Sequence, residues 1–126
     1  MRNKQRFGSE FNRWVYENCN HEFYFGNVDG YSVKMSTNPP VMRIWENKHH
    51  NESVSPGQMR LLREMAFLIR IGIRDGKYHP ASGVFLVYGN PLQDQRYRIV
   101  DVLTGEAKEV DSEELRMLVE CSDVKK

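Results

Sequence analysis

The sequence predicts a single α/β domain in which a mixed central sheet is flanked by helices. Three stretches carry that expectation. Residues 29–35 and 41–48 are alternating runs on either side of a turn, Ser36-Thr37-Asn38-Pro39-Pro40. Residues 59–73 place apolar side chains at helical spacing behind a strong start signal. Residues 83–89 are an apolar run bounded by turn residues, the pattern of a buried strand at the sheet centre.

Taken in order, residues 8–19 read as a helix with Ser9 as N-cap and Phe11, Trp14, Val15 and Asn18 on one face. Phe23, Tyr24 and Phe25 form an aromatic connection, read as core in preference to a base-stacking platform. The first alternating run puts Asp29, Tyr31, Val33 and Met35 on one face, and the second puts Met42, Ile44, Glu46 and Lys48 on one face. Ser55, Pro56 and Gln58 then stand at N-cap, N1 and N3 of a helix. Met59, Leu62, Met65, Ala66, Ile69 and Ile73 make its apolar stripe, while Arg60, Arg63, Arg70 and Arg74 lie on its polar side as candidate phosphate contacts or a solvated face. Asp75-Gly76 ends it. After the central strand, residues 96–102 alternate, Thr104-Gly105 turns, and residues 107–110 give a short hairpin partner. Residues 111–114 start a last helix over Leu115, Leu118 and Val119, and Lys125-Lys126 is a frayed tail.

The chemistry gathers at one hairpin end. A turn centred between Thr37 and Asn38 pairs positions whose numbers sum to 75, which sets Asp29 opposite Glu46. Opposed residues have Cβ atoms roughly 4.5–5.5 Å apart, and a slip of one residue would send the acids to opposite faces. Two such carboxylates repel, and a hard divalent cation relieves the conflict. Lys48 shares the face of Glu46 and sets a positive charge beside cation and phosphate. Metal, paired acids and a lysine are what phosphodiester hydrolysis needs. The plainer alternative is a charged, solvated hairpin end.

The order of these residues resembles the PD-(D/E)XK nuclease superfamily, which includes restriction endonucleases and archaeal-type Holliday junction resolvases. Asp29 in "VDGYSV" matches its first acid, Glu46 and Lys48 in "RIWENKHH" match Glu-x-Lys, and Gln58 in "SPGQMRLL" matches a frequent helix residue; the similarity spans roughly residues 6–90. The resemblance implies a restriction-endonuclease-like fold and Mg²⁺-dependent cleavage of DNA, with Mn²⁺ as a substitute. Asp29, Glu46 and the Asn47 carbonyl would bind metal, Lys48 would orient or activate water, and Gln58 would support the site. Gln58 also has a second role open to it, as part of its own helix cap. Resolvase-type members open with Gly-Ser-x-Phe-Glu-Arg, whose Glu completes the metal site. Here Asn12 takes that place and Glu10 lies two residues earlier, about 200° away around a helix. Glu10 replaces that acid, or Asn12 does, or the site lacks it. The resemblance further implies a homodimer. A non-catalytic DNA- or protein-binding module that keeps the fold is the rival reading.

The whole chain sets bounds. With 126 residues, 40 % apolar and 28 % charged, it has the make-up of one globular domain. No run approaches the roughly 18 apolar residues of a membrane span, and no apolar signal segment follows the basic start, so an intracellular protein with no membrane partner is expected. Cys19 and Cys121 give no disulfide framework and are expected reduced and half-buried. The formal net charge is only +1, but residues 1–100 carry 14 basic and 9 acidic side chains against 4 and 8 in residues 101–126. The mildly basic part therefore holds the candidate site, which permits a DNA-facing surface. His49 and His50 point to opposite sides of a strand, so they do not share a metal; one of them is a candidate backbone contact, and His49 is the nearer to Lys48. No zinc-ligand or HNH spacing is present.

Overall fold

In the computed structural model, which describes residues 10–19 and 28–125, the chain runs α1 (Glu10–Asn18), β1 (Gly30–Lys34), β2 (Val41–Lys48), α2 (Pro56–Arg74), β3 (Gly83–Tyr88), β4 (Arg96–Asp101), β5 (Ala107–Asp111) and α3 (Ser112–Glu120). The strands form one sheet in sequence order, β1-β2-β3-β4-β5. Every pair is antiparallel except β2 and β3, which run parallel with α2 as their crossover. The expected mixed sheet is therefore present, with β3 at its centre.

Alternation along the strands builds two cores. On one face Leu62, Ala66 and Ile69 of α2 pack on Val84, Leu86 and Val102, with Met42, Ile44 and Val100 around them. On the other, Leu115 and Leu118 of α3 cover Trp45, Val87, Tyr97, Ile99 and Val110. Complete burial of Leu62 and Leu86 contributes about 1.5–3 kcal/mol each. β3 supplies both cores, with Val84 and Leu86 on one side and Val87 on the other, which is why its sequence is apolar without alternation.

The start signals are realised. Ser55 caps α2 by accepting the Gln58 N–H, with Pro56 in its first turn. Asp111 and Glu114 form a reciprocal capping box at α3. Gly72 is required on α2 because a Cβ there would lie 2.4 Å from the Tyr78 ring.

Several expectations are modified. β1 is one residue shorter than expected at each end, and its apolar face is exposed at Tyr31 and Met35 because it is an edge strand beyond the reach of α2. Phe11 and Trp14, which share the expected face of α1, are exposed. Val119 also faces outward, since it sits about 100° around the helix from Leu118, which packs on the core. Cys121 is fully buried, not half-buried, because it ends α3 in a left-handed conformation beneath Val41 and Val124. Ser9, the aromatic run 23–25 and Lys126 lie outside the described residues.

Candidate functional site

The β1–β2 register runs from Gly30↔Trp45 to Lys34↔Val41, the sum of 75 that the turn predicts. One step further, Asp29 and Glu46 meet. The Asp29 N–H donates to Glu46 Oε1 at 3.2 Å, and the Asn47 N–H donates to Asp29 Oδ2 at 2.7 Å. Each carboxylate thus accepts from the other strand, which fixes both in place. The meeting point lies at the carboxyl ends of the two parallel strands and beside the N-terminus of α2, where open α/β sheets present their crevices.

Gln58 performs both roles that its position allows. Its backbone N–H donates to Ser55 Oγ at 3.2 Å, and its side-chain Nε2 donates to Glu46 Oε2 at 2.5 Å. Lys48 Nζ stands 4.0 Å from the same Oε2, its side chain 16 % exposed. Glu46 is buried at 5 % exposure, whereas Asp29 lies open to solvent. Burial foremost, and then the charge of Asp29, push the Glu46 carboxyl above its usual value; the Gln58 hydrogen bond, the Lys48 charge and the Asp29 N–H oppose this without cancelling it. A buried acid held above its normal range beside a second acid marks a candidate functional site.

Asn47 has a split role. Its side-chain Nδ2 donates to the carbonyls of Val87 and Gly89, at 2.9 and 2.8 Å, and so turns away from Glu46. The Lys48 carbonyl is taken by the Gly89 N–H at 2.8 Å. Carbonyl direction alternates along a strand, so the Asn47 carbonyl faces the β1 side, where its own N–H meets Asp29. Asp29, Glu46 and that carbonyl are hard oxygen donors at the same end of the hairpin. Mg²⁺ is typically held by one or two carboxylates with the remaining positions left to water and phosphate, and this set fits that requirement.

The other candidates lie apart. Glu10 is exposed in the first turn of α1, and among the described residues no group of three or more His, Cys, Asp or Glu side chains forms a metal cluster. Among the described residues two carboxylates converge here, not three. The Asn12 side chain lies outside what is described. His49 is exposed, and its backbone N–H donates to Glu52. Arg60 is exposed and pairs with Glu64 at 3.6 Å. Arg63 lines a recess with Phe67, Val102 and Leu103 beside the β4–β5 turn, away from the acids. Sequence reasoning overlooked Tyr88 and Arg98, which the register places in a row with Lys48. The signal was present only in the strand pairing.

No family model, curated protein or solved structure matches the chain. Among the described residues no helix is long and apolar enough to cross a membrane.

Proposed function

We propose that this chain is a metal-dependent deoxyribonuclease of the PD-(D/E)XK type, an endonuclease acting as a homodimer. The observation that carries the reading is the shared carboxylate of Glu46: buried, hydrogen-bonded by Gln58 and the Asp29 N–H, and flanked by Lys48. The order α1, β1, β2, α2, β3, with both acids at the open end of the β1–β2 hairpin, supports a restriction-endonuclease-like core.

Asp29, Glu46 and the Asn47 carbonyl would hold Mg²⁺, or Mn²⁺ in its place. The ion supplies Lewis acidity toward a phosphate oxygen and lowers the pKa of water. Gln58 orients Glu46 by fixing Oε2, and the Asp29 N–H fixes Oε1. Lys48 Nζ holds the attacking water and offsets charge that develops on the phosphate. The new bond joins water oxygen to phosphorus, the bond from phosphorus to the 3′ oxygen breaks, and that oxygen leaves with a proton as a 3′-hydroxyl.

A second reading, a non-catalytic DNA- or protein-binding module, is favoured by the convergence of two acids without Glu10. Incubation of plasmid, single-stranded and branched DNA with Mg²⁺ or Mn²⁺ separates the two. Cleavage by wild type that is absent in Asp29→Ala and Lys48→Ala variants of unchanged circular dichroism supports the nuclease. Intact DNA under every condition removes it in favour of the binding module.

A further inference from the structure

Beside Lys48 the sheet carries a recess that the proposed chemistry does not use. Lys48 pairs with Tyr88, Tyr88 with Arg98, and Arg98 with Glu109, so the four form one row across β2, β3, β4 and β5. Paired residues share a sheet face, which is here the face of Glu46. With strands about 4.8 Å apart, Arg98 stands roughly 10 Å from Lys48 across the row. That distance is about the axial rise of three nucleotides of one strand.

The recess is lined by His50, Tyr88, Arg96, Tyr97, Arg98 and Glu109 and has a volume of about 140 Å³. Set against the roughly 30 Å³ share of a water molecule, this admits one tetrahedral anion with its hydration. The Arg98 guanidinium lies 5.7 Å from the Tyr88 ring centroid. This cation–π contact sets the guanidinium over the ring and leaves its N–H groups available for a forked contact with phosphate. Among the described residues no carboxylate pairs with Arg98. Arg96 is engaged with Glu109 at 3.6 Å, but both are well exposed, and such a pair is weak enough to be exchanged for a phosphate. His50 Nε2 lies 3.1 Å from Asp94 Oδ2, a contact that ties the chain after β2 to the loop at the rim.

We infer that this recess is a second subsite for nucleic acid: Arg98, held over Tyr88 and assisted by Arg96, receives a backbone phosphate about three nucleotides along the strand from the one addressed by Lys48. The inference rests on the nucleic-acid reading above and adds to it the path of the strand, from the acids across β3 toward β5. Glu109 then acts against the ligand, because it occupies Arg96 and places a negative charge in the same recess.

The test is fluorescence anisotropy of labelled single-stranded, duplex and branched oligonucleotides with the full chain, in Ca²⁺ across a salt series, alongside cleavage in Mg²⁺. Arg98→Gln is expected to weaken binding about tenfold on every substrate and to reduce the slope of log affinity against log salt by about 1. Its Mg²⁺ dependence of cleavage should match wild type. Glu109→Gln should tighten binding, a change that a structural role for the recess would not produce. Wild-type cleavage with unchanged binding in both variants overturns the subsite and leaves the nuclease standing. Failure of wild type to bind or cut any substrate overturns both. Inorganic phosphate separates the sources of the anion: displacement of DNA no greater than by chloride of equal ionic strength supports a polymeric ligand. Phosphate that raises the melting temperature through Arg98, with no change in DNA binding on substitution, overturns the strand path.

Discussion

A single carboxylate concentrates the conflict between stability and the proposed chemistry. Glu46 is buried, faces Asp29, and has its carboxyl held above the usual value of 4.5 by burial first and by that neighbour second. The folded chain therefore binds this proton more tightly than the unfolded chain does. The contribution is whole below the usual value and fades as pH rises through the raised one, so ionised Glu46 weakens the fold at neutral pH. Glu46→Gln removes the charge and keeps the shape, and the Gln58 amide can turn to suit the new partner. Its melting temperature is expected to exceed that of wild type at pH 7, with the gap closing toward pH 4, while cleavage is lost. A lower melting temperature at pH 7 would mean that the charged network holds the fold together. Lys48 should behave differently. It lies 4.0 Å from Glu46 Oε2 and lowers the carboxyl's value, so Lys48→Ala should reduce cleavage about 100-fold or more. It should also move the stability profile of Glu46 further in the same direction, read from melting curves between pH 4 and 8.

At the scale of elements, the site depends on how the end of β2 is fastened. Asn47 donates two hydrogen bonds from one amide to the carbonyls of Val87 and Gly89, closing β2 against the end of β3. Asn47→Asp sets a carboxylate against those two carbonyls and is expected to cost about 1–3 kcal/mol in urea unfolding, with cleavage reduced because Glu46 and Lys48 flank the disturbed residue. An unchanged midpoint would show that the amide contacts contribute little. Ser55 fastens the other half of the site, since its hydroxyl caps α2 through Gln58. The hairpin was legible beforehand because alternation and turn position are local: the centre between Thr37 and Asn38 is sufficient to set Asp29 against Glu46. The caps at Ser55 and Asp111 were legible for the same reason. The Tyr88–Arg98 contact was not, because it depends on a pairing of β3 with β4 that no local pattern specifies. Exposure of Tyr31 and Met35 was equally hidden: alternation names a face but does not say what covers it.

At the scale of the whole molecule, β2 is clamped from both sides. The acids and α2 lie on one face, and on the other the turn after α3 closes over the start of the strand. Arg43, only 4 % exposed, reaches Asp123 with two hydrogen bonds of 2.8 and 3.0 Å and also donates to the carbonyls of Ala81 and Leu118. Lys34 Nζ donates to the carbonyls of Cys121 and Val124, so β1 is held by the same turn. These partners lie some 80 residues apart in sequence, which is why an acidic C-terminal stretch read as an ordinary helix concealed a structural tie. Removal of one partner from such a pair strands a buried guanidinium. That costs about 3–5 kcal/mol for a fully buried pair. Asp123 keeps 32 % side-chain exposure, so solvent screens part of the loss and Asp123→Ala should cost about 2–3 kcal/mol. The pH response runs opposite to that of Glu46. Burial raises the Asp123 carboxyl, but the hydrogen bonds and charge of Arg43 outweigh it and hold the group below its usual value of 3.8. Its stabilisation is therefore present above that value and is lost as pH falls through the lower folded one. Wild type should lose stability below about pH 4 more steeply than Asp123→Ala, measured by urea midpoints between pH 2 and 7. Parallel acid limbs in the two proteins would show that the Arg43–Asp123 tie does not govern the acid limit of the fold.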